Sequence, residues 1–327
     1  MARGAFAPAL VASLALALSG CGGSSGESGG VTTTVGDGGS SAAADALSAV
    51  VASYDLATGP PARFLVGTFV EGEGLVGRGT VDLAFSYLGK DKAGEPQAGP
   101  TASGAFLPIF GSDPGPGDRP AILPSDGRGV YAANVAFDRP GLWEVEVTAA
   151  LDGGPRRATA AFSVLEQHRV PSIGDAAPPS ENPIVGSSTP AVSIDSGALG
   201  SGKVPDPELH GTTIADALRR KLPILVVFST PTFCQSQFCG PVTDLVAELA
   251  AAHSNRASFI HVEVWEDFED QKASRAALEW LSRDGGDLNE PWVFLVGADG
   301  KVVARWDNVV TRQEVEPVLA ALPELAS

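Results

Sequence analysis

The period of the hydrophobic pattern changes once along the chain. Between residues 60 and 165, apolar residues recur at every second position, as in residues 81–87 (VDLAFSY) and 143–147 (WEVEV). Strict alternation is typical of strands that bury one face. The Gly/Pro/Asp cluster at residues 111–118 and similar clusters predict turns or exposed loops. Six or seven short strands over about a hundred residues predict a β-sandwich.

From about residue 207 the pattern becomes mixed. Residues 222–228 form a nearly continuous apolar run, which predicts a strand covered on both faces. Residues 241–253 place apolar side chains at i, i+3, i+4 and i+7, which predicts an amphipathic helix. The remaining predicted elements are helices at 213–221, 272–283 and 311–322, a strand at 258–264 and a hairpin at 292–306. This alternation predicts an α/β domain.

Two segments lack both periods. Residues 22–59 are poor in aromatic residues and rich in Gly and Ser, which predicts a disordered tether with at most a short helix at 42–54. Residues 166–206 are rich in proline, which predicts an extended, semi-rigid linker. The predicted organisation is a signal peptide at 1–21, the tether, a sandwich domain at 60–165, the linker and an α/β domain at 207–327.

Composition narrows the classes of partner. The chain has 327 residues, enough for two domains, and a formal net charge of −17. A charge of this sign argues against nucleic acid and anionic lipid surfaces as partners, because both require basic patches. Three cysteines are too few for a disulfide framework, so ordinary burial must stabilise the domains.

The N-terminus has the features of an export signal. Arg3 precedes an apolar stretch, residues 9–18, that is too short to span a bilayer. The sequence Leu18-Ser19-Gly20-Cys21 resembles the lipobox of bacterial lipoproteins. The resemblance implies that Cys21 is acylated and anchors the chain in the lipid bilayer, on the extracytoplasmic face of the cell membrane. An ordinary secretory signal is the alternative. In either case cysteine pairs can become oxidised there and remain so.

One hairpin of the predicted sandwich resembles a known module. Residues 129–145 are similar to the last hairpin of immunoglobulin-like (Ig-like) periplasmic domains, whose copper-resistance relatives bind copper through His and Met. Residues 60–165 contain no His, and Met1 is the one methionine of the chain. The resemblance therefore implies a fold, and we expect a spacer or interaction module and no metal site.

The α/β region carries a more specific resemblance. Cys234 and Cys239 follow its first central strand, and Pro291 directly precedes the predicted hairpin. With residues 289–300 (NEPWVFLVGADG) and the order of elements, these motifs resemble the thioredoxin fold over residues 207–327. The resemblance implies a cis peptide bond before Pro291, with this proline facing the cysteines and shaping a substrate groove.

The cysteine spacing, Cys-x-x-x-x-Cys, departs from the usual Cys-x-x-Cys. Residues five apart in a regular helix are too distant for a disulfide, so at least Cys234 must precede the helix. One alignment matches Phe238-Cys239-Gly240-Pro241 to the Trp-Cys-Gly-Pro of thioredoxins. It implies that Cys239 is the attacking thiolate at a helix N-terminus and that Cys234 resolves the mixed disulfide, because Val242 occupies the usual second position.

A second alignment matches residues 230–239 to single-chain peroxiredoxins of the bacterioferritin-comigratory type. It implies that Cys234 attacks peroxide and Cys239 resolves the sulfenic acid. The family pattern Pro-x-x-x-Thr-x-x-Cys is not met, since Val227 occupies its Pro position and Pro231 its Thr position.

Three further interpretations stay open at this point. The first is copper delivery of the Sco type, with His261 as the distant ligand; a zinc site is weaker still. We expect His261 to be an ordinary core histidine, and His168, His210 and His253 to be solvated. The second is a binding module in which the disulfide is static. The third concerns residues 265–270 (WEDFED), an acidic aromatic loop on the active face or simply a solvated one.

The sequence thus predicts thiol–disulfide exchange with extracytoplasmic protein thiols or disulfides. The predicted catalytic residues are Cys239, Cys234 and Pro291, and the predicted lipidation site is Cys21. We expect no cofactor, no resident metal and no nucleic-acid partner.

Overall fold

The computed structural model describes residues 46–90, 95–234, 236–282, 285 and 288–325. Cys21, the predicted signal peptide and most of the predicted tether lie outside these residues, so lipidation stays a prediction. No helix within the described ranges is long and apolar enough to cross a membrane.

Residues 47–165, the β region, form an antiparallel sheet of nine strands within the described part of the chain. The strands are β1 (Leu47–Val51), β2 (Ala62–Val70), β3 (Gly74–Gly77), β4 (Thr80–Gly89), β5 (Gln97–Pro108), β6 (Ala121–Ile122), β7 (Gly129–Val135), β8 (Gly141–Leu151) and β9 (Gly154–Val164). Their order is β6-β3-β2-β7-β5-β4-β8-β9, with β1 paired to β2. Alternation specifies the buried face, since Val81, Leu83 and Phe85 on β4 are buried while Asp82 and Ala84 are exposed.

This sheet differs from the two separate sheets expected of a sandwich. Strand β5 pairs with β4 from Gln97 to Ala105 and with β7 from Ala105 to Pro108, so it joins the two layers. The sheet curls strongly, as a ring contact between distant strands shows. Phe64 on β2 and Phe162 on β9 have ring centroids 5.2 Å apart although their strands are not neighbours. One continuous sheet therefore surrounds one core, and the Ig-like class stays a prediction.

The predicted tether, residues 22–59, extends too far along the chain. Residues 47–51 form strand β1 and pair in register with residues 66–70 of β2. The helix considered for residues 42–54 is wrong over its described part, because these residues complete the sheet instead. The main-chain hydrogen bonds offered by β2 outweigh a local helical preference.

The predicted linker, residues 166–206, is packed rather than extended. Val170 and Ala177 are buried in a core of the α/β region, and Ala176 forms a bridge with Lys301. The segment also contains α1 (Ala191–Ile194) and a 3₁₀ helix, Ser196–Ala198. Its apolar side chains add burial that the proline content alone does not reveal.

Residues 207–325, the α/β region, contain a mixed four-stranded sheet in the order β11-β10-β14-β15. After a 3₁₀ helix at Pro207–His210, its elements are α2 (Ile214–Arg219), β10 (Ile224–Ser229), α3 (Cys239–His253), β11 (Ser258–Glu263), β12 (Trp265–Asp267), β13 (Lys272–Ala273), α4 (Arg275–Leu281), β14 (Trp292–Val296), β15 (Val302–Asp307) and α5 (Arg312–Ala320). Strand β10 is parallel to β11 and antiparallel to β14.

The apolar run of β10 is explained by two cores. Ile224, Val226 and Phe228 pack with α2 and α4 on one face, whereas Leu225 and Val227 pack with α3 and α5 on the other. Because successive strand residues point to opposite faces, a strand between two helical layers must be apolar throughout.

The resemblance to thioredoxin-like proteins is corrected by the secondary-structure content. Strands make up 38% of the structure and helices 18%, so an α/β thioredoxin fold is not evident from it. The physical reason is that long strands such as β5, β8 and β9 dominate the chain, while α2 and α4 are short. Helix α4 begins at Arg275, after the N-cap Ser274, because Lys272 and Ala273 pair with β12.

Candidate functional site

Cys234 and Cys239 form a disulfide, with their Cα atoms 6.0 Å apart. Cys234 lies in the loop between β10 and α3 and is partly exposed, whereas Cys239 is the first residue of α3 and is 0% exposed. The structure thus places Cys234 outside the helix, as the spacing requires.

The N-terminus of α3 carries no side-chain cap. Its N-cap residue, Phe238, makes no capping hydrogen bond, and the first turn contains no acidic residue. The partial positive charge of a helix N-terminus therefore acts on Cys239 without a neutralising carboxylate. Thr243 donates a hydrogen bond to the carbonyl of Cys239 over 2.9 Å and bonds the Ser229 hydroxyl over 2.6 Å, which ties the helix to β10.

Polar contacts connect Cys234 to the N-terminal part of the chain. Ser236 Oγ lies 3.1 Å from Cys234 Sγ. Ser236 also lies near Tyr54, whose hydroxyl donates to the carbonyl of Glu290 over 2.8 Å. Burial, followed by the charge of Asp307, raises the pKa of Tyr54 far above its ordinary value, so Tyr54 stays a protonated donor. Sequence reasoning missed Tyr54 because it falls in the predicted tether.

The cis peptide bond expected before Pro291 is present in the structure. The Glu290–Pro291 peptide bond is cis, and Pro291 is buried, with its carbonyl accepting a hydrogen bond from Asn308 N over 2.9 Å. Tyr54 covers the preceding carbonyl. The predicted role of Pro291 in an open substrate groove therefore stays a prediction.

Phe238, next to Cys239, contacts the β region. It packs against a buried cluster formed by Leu65, Ile109, Val130 and Val309, of which the first three belong to the β region. The cysteine loop is thus supported from both regions. A change in its conformation must be accommodated by side chains of β2 and β7.

The acidic aromatic loop of residues 265–270 lies beside the cysteine loop. Phe233, adjacent to Cys234, stacks on Phe268 with ring centroids 4.4 Å apart and an interplanar angle of 8°. Glu266, Asp267, Glu269 and Asp270 are exposed around this stack. The surroundings of Cys234 are therefore aromatic and negatively charged.

Glu290, whose carbonyl accepts the hydrogen bond from Tyr54, is a titratable group that sequence reasoning did not single out. Burial raises its pKa to about 7, and a hydrogen bond from Trp265, 3.2 Å from Nε1 to Oε1, limits the rise. A carboxyl with such a pKa exchanges protons near neutral pH.

A second polar cluster lies at the end of β10 and β11. Asp195 Oδ2 is 3.1 Å from His261 Nδ1 and 3.3 Å from His210 Nε2, and the two ring nitrogens are 3.4 Å apart. His261 Nε2 donates to the carbonyl of Ser229 over 3.0 Å. His210 is 0% exposed, so its predicted solvation is wrong, because the 3₁₀ helix turns it inward.

Burial and hydrogen bonding shift the pKa values of this cluster in opposite directions. Burial alone would raise the pKa of Asp195, but hydrogen bonds from His210 and His261 outweigh it and lower the pKa well below its ordinary range. Burial lowers the pKa of His210. No motif spacing indicates the cluster, since its members come from the linker, a 3₁₀ helix and a strand.

The other two histidines lie outside both sites. His168 bonds Asp55 over 3.0 Å, and His253 bonds Glu316 over 2.8 Å.

A cavity of about 580 Å³ between the two regions is lined by residues that include Arg63, Trp292 and Arg305, but by neither cysteine. It offers no direct access to the disulfide.

No protein-family model, curated protein or solved structure matches this chain. The thioredoxin and Ig-like resemblances therefore gain no support from a relative, and the chemistry of the cysteines is argued from their geometry alone.

Proposed function

We propose that the chain carries out thiol–disulfide exchange through Cys234 and Cys239, with extracytoplasmic protein thiols or disulfides as substrates. The observation that carries the proposal is a disulfide with one sulfur in a partly exposed loop and the other at an uncapped helix N-terminus. A partner can reach the first sulfur, while the second is stabilised as a leaving thiolate.

The burial of the two cysteines supports an order of attack opposite to the thioredoxin-type alignment. Cys239 is 0% exposed, so a partner thiolate meets Cys234 first. Its attack forms a mixed disulfide with Cys234 Sγ and breaks the Cys234–Cys239 bond, whose electron pair leaves on Cys239 Sγ. A second partner thiolate then attacks the partner sulfur of the mixed disulfide, releasing Cys234 as a thiolate and an oxidised partner. The reverse sequence reduces a partner disulfide.

The local environment supports this order. The helix N-terminus stabilises the Cys239 thiolate. The Ser236 hydroxyl, 3.1 Å from Cys234 Sγ, is placed to donate to the thiolate formed there. The stack of Phe233 on Phe268, with acidic residues around it, favours partners that present a basic and apolar surface next to the reacting cysteine.

Single-cysteine variants test the order of attack. In a Cys21→Ser background, Cys239→Ser leaves the accessible sulfur and is expected to trap mixed disulfides with a disulfide-bonded model peptide. Cys234→Ser leaves the buried sulfur and is expected to trap far less. Trapping by Cys234→Ser alone would restore Cys239 as the attacking thiolate, and trapping by neither variant would leave a structural disulfide.

A non-catalytic binding module is the second candidate, because Cys239 is buried and its neighbour Phe238 is packed against the β region. The reduction potential of the pair separates it from the first. A value well below about −300 mV in a glutathione titration favours a structural bridge, whereas a higher value supports exchange.

Membrane attachment through Cys21 is part of the proposal. Growth with a radiolabelled fatty acid is expected to label the wild-type protein in the membrane fraction. Cys21→Ser is expected to lose both the label and the sedimentation with membranes, and unchanged labelling would exclude Cys21 as the acylated residue.

A further inference from the structure

Three buried side chains, Asp195, His210 and His261, place one potential donor atom each within 3.4 Å of the other two. The separations of these atoms are 3.1, 3.3 and 3.4 Å. Donor atoms around a tetrahedral zinc ion with bonds of about 2.0–2.1 Å lie about 3.3–3.4 Å apart. Donors on one face of an octahedral ion with bonds of about 2.1 Å lie about 3.0 Å apart. Two of the three observed separations match the tetrahedral value.

The orientation of His261 is compatible with a role as a metal ligand. Its Nε2 donates to the carbonyl of Ser229 over 3.0 Å. The neutral tautomer with its proton on Nε2 has a lone pair on Nδ1 that is available to a metal ion, whereas the protonated ring donates from Nδ1 to Asp195 Oδ2 over 3.1 Å. Either a proton or a metal ion between Nδ1 and Oδ2 satisfies the two facing lone pairs. Metal-ligating histidines are held in the same way, with the remote N–H bonded to a carbonyl.

The surroundings of the cluster suit a cation rather than an anion. All three side chains are buried, which excludes competing bulk water. Asp206 is close enough to influence His210 electrostatically, and Asp244 is close enough to sense Asp195. These carboxylates add negative potential around a site whose own ligands carry one formal negative charge.

We infer that Asp195, His210 and His261 bind one first-row divalent cation of the zinc class. Two imidazoles and one carboxylate form a donor set that zinc accepts, with a fourth position left for water or another ligand. The ion links residues 166–206 to strand β11. Asp195 directly precedes the 3₁₀ helix Ser196–Ala198, His210 ends the 3₁₀ helix Pro207–His210, and His261 lies on β11. This site contains neither cysteine and is independent of the exchange reaction proposed above.

Zinc binding to the oxidised full chain tests the inference. The Cys234–Cys239 disulfide removes two thiols as ligands, and alkylation of Cys21 removes the third. Titration calorimetry with Zn²⁺ and elemental analysis after dialysis are expected to show one equivalent bound. His210→Asn and His261→Asn are each expected to weaken binding by about 100-fold or more, since changes to groups behind the ligands already cost about 10–100-fold.

His253→Asn and His168→Asn are matched controls, because both remove a partly buried imidazole bonded to a carboxylate outside the cluster. Both are expected to bind Zn²⁺ like the wild type. Loading the wild-type protein with Co²⁺ provides a readout that needs no variant to fold, and visible bands of a four- or five-coordinate ion with nitrogen and oxygen ligands are expected. Substoichiometric binding, retained affinity in His210→Asn, or a six-coordinate aqua-like Co²⁺ spectrum would each overturn the inference and leave a hydrogen-bonded triad.

Discussion

The β region and the α/β region use opposite designs for their cores. The β region encloses one core inside a curled sheet, with Phe64, Phe85 and Phe162 packed ring against ring. The α/β region places its sheet between two cores. Within the sequence, residues 47–165 contain neither cysteine nor histidine, whereas the α/β region contains the cysteine pair and three histidines.

This difference explains where the chemistry lies. On the described strands of the β region, whose side chains alternate between core and solvent, Thr68 is the one buried polar side chain. In the α/β region, four buried polar residues lie at or near the carboxyl ends of two strands. They are Ser229 and Thr230 at the end of β10, and His261 and Glu263 on β11. Ligand and catalytic groups gather at such strand ends in α/β sheets. The proposed exchange reaction and the two histidines of the proposed metal site therefore lie in the α/β region, and we expect the β region to contribute mainly stability.

Phe64→Ala is the change with the largest expected effect on this comparison. Phe64 is 0% exposed at the centre of the aromatic cluster, so its loss is expected to destabilise the protein by about 3–5 kcal/mol. Urea unfolding measures the effect. Phe294→Ala, an equally buried phenylalanine of the α/β region, is the matched control. If the regions act as one cooperative unit, both variants show a single transition; a first transition of the β region alone in Phe64→Ala would show that the regions unfold separately.

Arg63→Met tests the contact between the regions. Arg63 on β2 bonds Glu314 over 2.7 Å and Asp307 over 3.3 Å, both in the α/β region. Burial raises the pKa of Asp307, and the charges of Arg63 and, to a smaller extent, Arg305 oppose that rise, so removal of Arg63 leaves this buried carboxyl with less compensating positive charge. We expect a loss of about 3 kcal/mol in the free energy of unfolding.

Arg157→Met is the control, because Arg157 and Glu146 form an exposed pair within the β region. Its expected effect is less than about 1 kcal/mol. An equally small effect of Arg63→Met would mean that the two regions contribute to stability independently.

Glu290→Gln is expected to have a smaller, pH-dependent effect confined to the α/β region. Burial raises the folded-state pKa of Glu290 from 4.5 to about 7, so the folded state holds this proton more tightly than the unfolded state. Stability is therefore expected to fall by about 3 kcal/mol as pH rises from about 4.5 to about 7 and to level off above.

Urea midpoints measured across this pH range are expected to show that slope in the wild type and a weaker one in Glu290→Gln, with a more stable variant at pH 8. Glu144→Gln, on β8 of the β region, is the matched carboxyl control and should leave the slope unchanged. An identical slope in wild type and Glu290→Gln would show that another group carries it.

Local patterns predicted much of the fold. Helix α5, Arg312–Ala320, lies within the predicted range 311–322, and β14 covers residues 292–296 as predicted. Strand β1 was missed, because an alanine-rich segment favours helix locally while the free edge of β2 offers a ladder of hydrogen bonds. The site was predicted only in part. Its two cysteines are close together in the sequence, whereas Tyr54 and Glu290 reach it from distant segments.

The sequence by itself determined the periods of the two regions and the position of Cys234 ahead of the helix that begins at Cys239, because both depend on residues close in the chain. The tertiary structure alone decided which cysteine is buried, that Phe238 contacts the β region, and that Asp195 meets His261 across 66 residues. Those contacts arise from how whole elements pack against one another, and the free energy of that packing is shared among many side chains. For this reason the location of the cysteine pair followed from the sequence, whereas its accessibility and the histidine cluster did not.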